Sequence, residues 1–145
     1  MLNETIMKFG YPDTLLGDYQ YWVVLLRPEQ ITAGSLVLAS KTEAERVPDV
    51  PSAAFAELSK VTSDLEYSLK KTFNFDKINY VLYMMVDKYV HWHVIPRYGT
   101  TKEVCGVVFN DKGWPKLPIM SDVTPISPEH FKELGDLIRK NWPQK

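Results

Sequence analysis

Two of the three histidines in this 145-residue chain, His91 and His93, stand two residues apart. They lie in the segment YVHWHVIPRY, residues 89–98, whose β-branched and aromatic content predicts a strand. Side chains alternate along a strand, so residues two apart share a face. Val90, Trp92, Val94 and Pro96 then make an ordinary core face, while Tyr89, His91, His93, Ile95 and Arg97 face the other way. Three chemistries compete for the imidazole pair. Both rings are structural and satisfied by local hydrogen bonds, or they chelate a metal, or one is a nucleophile and the other shapes its site. The metal reading is short of ligands. A zinc site takes three or four protein ligands, yet the third histidine is the distant His130 and no acidic cluster is near in sequence. The nucleophile reading fits neutral pH, where an ordinary imidazole is largely unprotonated and attacks phosphorus well. Arg97 on the same face, or Arg27 elsewhere, would neutralise phosphate charge. Periodicity alone does not choose among the three.

The elements that must position these residues follow from the pattern. Residues 1–20 are mixed, with turn signals at Gly10-Tyr11-Pro12-Asp13 and Gly17-Asp18. Residues 22–26, WVVLL, read as a strand buried on both faces, and 35–39, SLVLA, as its antiparallel partner. From Ser52, a candidate N-cap, the period turns helical. Phe55, Leu58, Val61, Leu65 and Leu69 make one apolar face, with Lys60, Asp64, Lys70 and Lys71 around the rest of the wheel, and the helix ends near Asn74. Residues 78–86, INYVLYMMV, are the strand before the histidine segment, and Asp87-Lys88 is the turn of a hairpin. A two-residue turn there puts Met84 beside His91; a three-residue loop puts Tyr83 there. Residues 99–126 are irregular, with one short strand over 104–109. Ser127-Pro128 starts a last helix, faced by Phe131, Leu134 and Ile138. The expectation is an α+β fold: a mainly antiparallel sheet, one long helix packed on it, and a C-terminal helix.

Composition narrows the class. Hydrophobic residues at 45% and charged residues at 24% describe a folded chain of one-domain length, 1–145, with its core over about 20–98 and an extension over 99–145. Lys plus Arg is 17 and Asp plus Glu 18, so a net charge of −1 argues against broad binding to nucleic acid or anionic membrane. The longest apolar runs are far too short for a bilayer, and no secretory signal is recognisable, so a cytoplasmic protein is expected. The lone Cys105 allows no internal disulfide and is read as inert; Met84-Met85 is read as core packing and His130 as a surface residue.

The segment His91-Trp92-His93-Val94-Ile95-Pro96-Arg97 resembles the signature of the histidine triad superfamily, His-φ-His-φ-His-φ-φ with φ apolar, often running into Pro-Arg. Residues 25–28 through 34–38 resemble that family's first hairpin, and Asp76-Lys77-Ile78-Asn79-Tyr80 the strand start of its bacterial members. More weakly, Gly113-Trp114-Pro115 resembles a C-terminal Trp-Pro segment of some branches. The resemblance implies a homodimer and action at the α-phosphate of a substituted nucleotide, either a dinucleoside polyphosphate or a nucleoside phosphoramidate. It implies His91 as the nucleophile that forms a nucleotidyl-histidine, with its other ring nitrogen fixed by an acceptor, usually a backbone carbonyl. It places His93 near the α-phosphate, and makes Arg27, Arg97, Asn79 and Trp114 candidate nucleotide or phosphate contacts. No cofactor is implied, though Mg²⁺ is compatible with a polyphosphate substrate.

The chain departs from the pattern in several places. Tyr89 holds the first triad position; a phenol donates a hydrogen bond but shuttles protons poorly at neutral pH. Met84-Met85-Val86-Asp87-Lys88 replaces the family's Gly-Gln-Ser/Thr run, Gly34-Ser35 replaces Gly-His, and Arg27 stands where many relatives carry a ribose-binding asparagine. Trp114 is either a closure for a partner's pocket or an ordinary packed aromatic. The same fold with lost catalysis, a nucleotide-binding module, is the alternative these departures suggest.

Overall fold

The computed structural model describes residues 2–143. A five-residue helix α1 (Glu4–Lys8) is followed by β1 (Leu15–Asp18), β2 (Trp22–Leu26) and β3 (Leu36–Ser40). The long helix α2 (Ser52–Phe73) then leads into β4 (Lys77–Val81) and β5 (His91–Arg97). A small hairpin of β6 (Lys102–Val104) and β7 (Val107–Phe109) precedes α3 (Pro128–Lys140). The main sheet has the order β1-β2-β3-β5-β4 and every pairing is antiparallel. The α+β architecture expected from the sequence is therefore the one observed.

The sheet is covered on both faces at its centre, which is why β2 and β3 are buried at every position. One face carries Trp22, Val24, Leu26, Leu36 and Leu38, packed against Val61, Leu65 and Leu69 of α2 and Leu134 and Ile138 of α3. Trp92 of β5 lies on this side, its ring 5.4 Å from that of Trp22. The opposite face carries Val23, Leu25, Val37 and Ala39 under Ile6 of α1. Residues directly opposed in an antiparallel pair share a face. His91 pairs with Ala39 and His93 with Val37, so both imidazoles belong to the α1 side.

Several expectations shift. β3 begins at Leu36, because Ser35 is spent in the turn, where its hydroxyl bonds Thr32. Ser52 is the first helical residue and not the cap: Pro51 takes that position and its carbonyl accepts from the Ala54 N–H, 2.9 Å. Asn74 closes the helix in the left-handed region, φ 51°. Phe55 falls off the buried stripe, 38% exposed, while Asp64, read as a polar-face residue, is buried and held by the Tyr19 hydroxyl and the Lys60 ammonium, each at 2.8 Å. The short strand expected over 104–109 is a two-stranded hairpin. It turns on Cys105 and Gly106, both at positive φ (48° and 70°), the backbone of a tight two-residue turn.

The largest correction concerns the hairpin carrying the histidines. Pairing of β4 with β5 stops at Val81↔His93, and residues 82–90 form a loop instead of two further strand ends and a tight turn. Met84 turns the chain at φ 52°, and the loop bonds to α1 and to the segment after β3 in place of its own strand. Neither register left open by the sequence is formed. Among the described residues, no helix is long and apolar enough to cross a membrane.

Candidate functional site

His91 and His93 line one cavity of about 550 Å³, a volume suited to a ligand of nucleotide size. Their ring centres are 5.2 Å apart and the planes are nearly perpendicular, at 76°. α1 supplies one wall through Lys8 and its C-cap residue Phe9. The loop 82–90 supplies another through Tyr83, Met84, Met85, Val86 and Asp87. Arg27 and Glu29, just beyond the end of β2, close a third side, and Met120 reaches in from the C-terminal segment. Phe9 stands against both imidazoles, with ring centres 5.6 Å from His91 and 6.1 Å from His93, and Tyr83 lies 5.8 Å from His93. Both histidines are buried from bulk solvent, 3% and 8% exposed.

The two rings are prepared differently. His91 Nδ1 is 2.7 Å from the main-chain carbonyl of Tyr89. A carbonyl only accepts, so Nδ1 carries the proton and the Nε2 lone pair is available. His93 Nδ1 is buried with no hydrogen-bond partner among the described residues. Burial pushes the His93 pKa down to about 4, reinforced by Arg27 and then His91 and opposed by Asp87. His93 is therefore neutral at physiological pH. Arg27 is the cation of this pocket that most feels desolvation, which lowers its pKa against the raising effect of Glu29. Its Nη1–H donates to the Glu29 carbonyl at 2.6 Å, while its Nε is buried without a partner among the described residues. Lys8 is ion-paired with Asp87 at 2.8 Å. Buried polar groups are normally bonded, so two residues of this one cavity, Arg27 and His93, each carry a polar atom left unsatisfied among the described residues.

The other sequence candidates divide. Tyr89 precedes β5 and its ring is not part of the cavity lining; the Lys88 ammonium lies 5.1 Å from the ring centre. What residue 89 brings to His91 is its carbonyl. Arg97 and Asn79 do sit on the imidazole face of the sheet, but farther along it: Arg97 is four residues from His93, about 13 Å at strand rise, and Asn79 stands opposite Ile95, two residues from His93. Together with Trp114 they line a separate cavity of about 510 Å³. There Arg97 is consumed: Nε and Nη2 bind the two carboxylate oxygens of Asp111 at 2.7 and 3.0 Å, and Nη1 donates to Asn79 Oδ1 at 2.8 Å. Met85, expected in the core, is 83% exposed at the cavity mouth. Cys105 is partly buried and its thiol pKa is raised, by burial first and then by Glu133. Phe9, Lys8, Asp87 and Met120 were not singled out as site residues from sequence, and Tyr83 entered only as one of two residues that the turn could place beside His91. No motif marks them, since they come together from three separate segments, the end of α1, the loop 82–90 and the C-terminal segment.

No family model matches the chain, and no curated protein matches it in sequence. Solved structures match it in shape. A histidine triad protein from Sinorhizobium meliloti superimposes with a TM-score of 0.73 at 21% identity, covering 97% of this chain and 96% of its own. One from Marinobacter aquaeolei gives 0.73 at 19% identity, covering 98% and 95%. A diadenosine triphosphate hydrolase from Plasmodium falciparum gives 0.65 at 13% identity, covering 89% and 76%. The chain has the fold of the histidine triad proteins.

Proposed function

We propose that this chain is a nucleotidyl hydrolase or transferase of the histidine triad kind. It acts at the α-phosphate of a nucleoside phosphate derivative through a nucleotidyl-histidine intermediate on His91. The observation that carries the reading is the Nδ1–H of His91 held on the Tyr89 carbonyl at 2.7 Å, in a ring that lines an open cavity. A histidine that attacks phosphorus needs a fixed tautomer with a free lone pair on the attacking nitrogen. In the first step Nε2 forms a bond to the α-phosphorus as the bond to the leaving group breaks, and the leaving group departs with the electron pair and takes up a proton. In the second, water attacks the same phosphorus and the P–N bond breaks, returning His91 and releasing a nucleoside monophosphate. His93 and the guanidinium of Arg27, which line the same cavity, face the phosphoryl oxygens, where charge is concentrated in the transition state. The solved neighbour that hydrolyses diadenosine triphosphate supports a nucleotide as the substrate class. The same reading carries a homodimer in the cytoplasm, and Mg²⁺ only as company for a polyphosphate.

The test is chemical. Incubation with an adenosine phosphoramidate, a quench that avoids acid, and mass spectrometry are expected to find one adenylyl group bound through nitrogen. His91→Ala is expected to abolish both adduct and turnover. An adduct that survives in His91→Ala removes this residue from the role. Binding of AMP with no adduct, and turnover indifferent to His91→Ala, identifies the chain as a nucleotide-binding module instead.

A further inference from the structure

The carbonyl that sets the His91 tautomer lies outside regular structure, so something else must hold it. It belongs to the peptide unit between Tyr89 and Val90, whose N–H donates to the Ala44 carbonyl at 2.9 Å. The preceding peptide is held by a side chain: the N–H of Tyr89 donates to Thr5 Oγ1 at 3.3 Å. Thr5 is in α1 and 2% exposed. The two residues before Tyr89 are tied to the same helix, Lys88 to Glu4 at 3.2 Å and Asp87 to Lys8 at 2.8 Å. Three consecutive loop residues thus each hold a different residue of α1. The ion pairs are solvent-exposed on at least one side, so the buried Thr5 bond is the firmer of the three.

A helix of five residues has no stability of its own. α1 is fixed from outside: Asn3 caps it and donates to the Ser40 and Thr42 carbonyls at 2.8 and 2.9 Å, while Ile6 is fully buried against β2 and β3. The sheet therefore anchors α1, α1 anchors residues 87–89, and these carry the peptide to which His91 is bonded. The ring of Tyr89 lies against the Lys88 ammonium, 5.1 Å from its centre, and does not line the cavity.

We propose that α1 positions the nucleophile: Thr5, flanked by Glu4 and Lys8, holds the chain at residues 87–89 so that the Tyr89 carbonyl keeps His91 in its Nδ1–H tautomer. The proposal rests on the reading of His91 as the nucleophile, and Thr5 is a positioning residue that does not touch substrate. The substitution Thr5→Val keeps the shape and removes the acceptor.

With ¹⁵N-labelled histidine, two-bond ¹H–¹⁵N correlations report which nitrogen carries the proton. In the wild type His91 is expected as the Nδ1–H form. Thr5→Val is expected to raise the Nε2–H fraction and slow single-turnover adduct formation about tenfold, with the Kd for AMP within about twofold, the pattern of lost alignment without lost binding. Thr5→Ser, which restores the hydroxyl, is expected to return both readouts toward wild type. Thr5→Ala serves the same purpose should the valine variant not fold. Wild-type tautomer and rate in the variants lacking the hydroxyl overturn the proposal, as does a Thr5→Ser variant as impaired as Thr5→Val. A wild type that never forms an adduct defeats the nucleophile reading; the tautomer readout still decides whether α1 holds the ring.

Discussion

His93 differs from its neighbour in what surrounds it. It is buried near Arg27 and unpartnered at Nδ1, so its protonation is disfavoured in the folded chain and not in the unfolded one. The native pKa of about 4 lies below the ordinary 6.5, so between these values the unfolded state binds the extra proton. Stability from this group is fully present above pH 6.5 and is lost as pH falls toward 4. Thermal melts over that window are expected to show a declining Tm, and His93→Gln is expected to flatten the decline. A slope unchanged in the variant assigns the effect to another group. Arg27 gives a second expectation: Arg27→Met removes a charged donor from the cavity and is expected to weaken AMP binding about tenfold or more by titration calorimetry, with the fold intact. The imidazole pair and its shared face were legible in sequence because alternation along a strand is a local property. The acceptor on Nδ1 was foreseeable only as a requirement of the chemistry. Its identity depends on where the chain leaves the sheet, and that is settled by contacts of residues 87–90 with α1 and Ala44 far away in sequence.

At the scale of elements, what local pattern could fix, it did. β2, α2 and α3 lie close to where periodicity puts them, and Ser127 caps α3 as read, accepting from the His130 N–H at 3.1 Å. The loop 82–90 is the instructive failure. Its opening run LYMMV, residues 82–86, has the composition of a strand, but the chain bends away at Met84 and leaves Met85 and Val86 each 83% exposed. Tertiary contact overrode propensity there. The join between β2 and β3 shows the opposite, a local residue demanded by long-range packing. Gly34 sits at φ 82°, and a Cβ built on it falls 2.6 Å from the Phe73 ring at the end of α2. Gly34→Ala combines a disfavoured backbone with overpacking and is expected to cost about 1–3 kcal/mol in urea denaturation, since Phe73 is fully packed and has little room to retreat. A loss below about 0.5 kcal/mol would mean that the ring swings aside freely.

The whole molecule shows why residues on one face of one strand are split between two cavities. Arg97 and Asp111 form a pair with side chains 5% and 2% exposed, which clamps the segment after β7 onto the end of β5. Breaking such a pair strands a buried charge, so Asp111→Ala is expected to lose about 3–5 kcal/mol while leaving His91 chemistry intact in whatever remains folded. Arg97 is thus committed to structure, and the cations on the histidine cavity are Lys8 and Arg27, facing the carboxylates of Glu29 and Asp87. With His93 neutral, these charges cancel. The rest of the lining is Phe9, Tyr83, Met84, Met85, Val86 and Met120. A balanced pocket with apolar walls accommodates one phosphoryl anion and an apolar leaving group better than a chain of phosphates, each adding a charge with no protein partner. Under the proposed function, kcat/KM for an adenosine phosphoramidate of an apolar amine is expected to exceed that for diadenosine triphosphate by about tenfold or more, one uncompensated charge being enough for such a ratio. Mg²⁺ is expected to narrow the gap by neutralising the phosphate chain. A preference for the polyphosphate without Mg²⁺ would require a cation from outside the described chain, and the partner subunit of the proposed dimer is where to look for it.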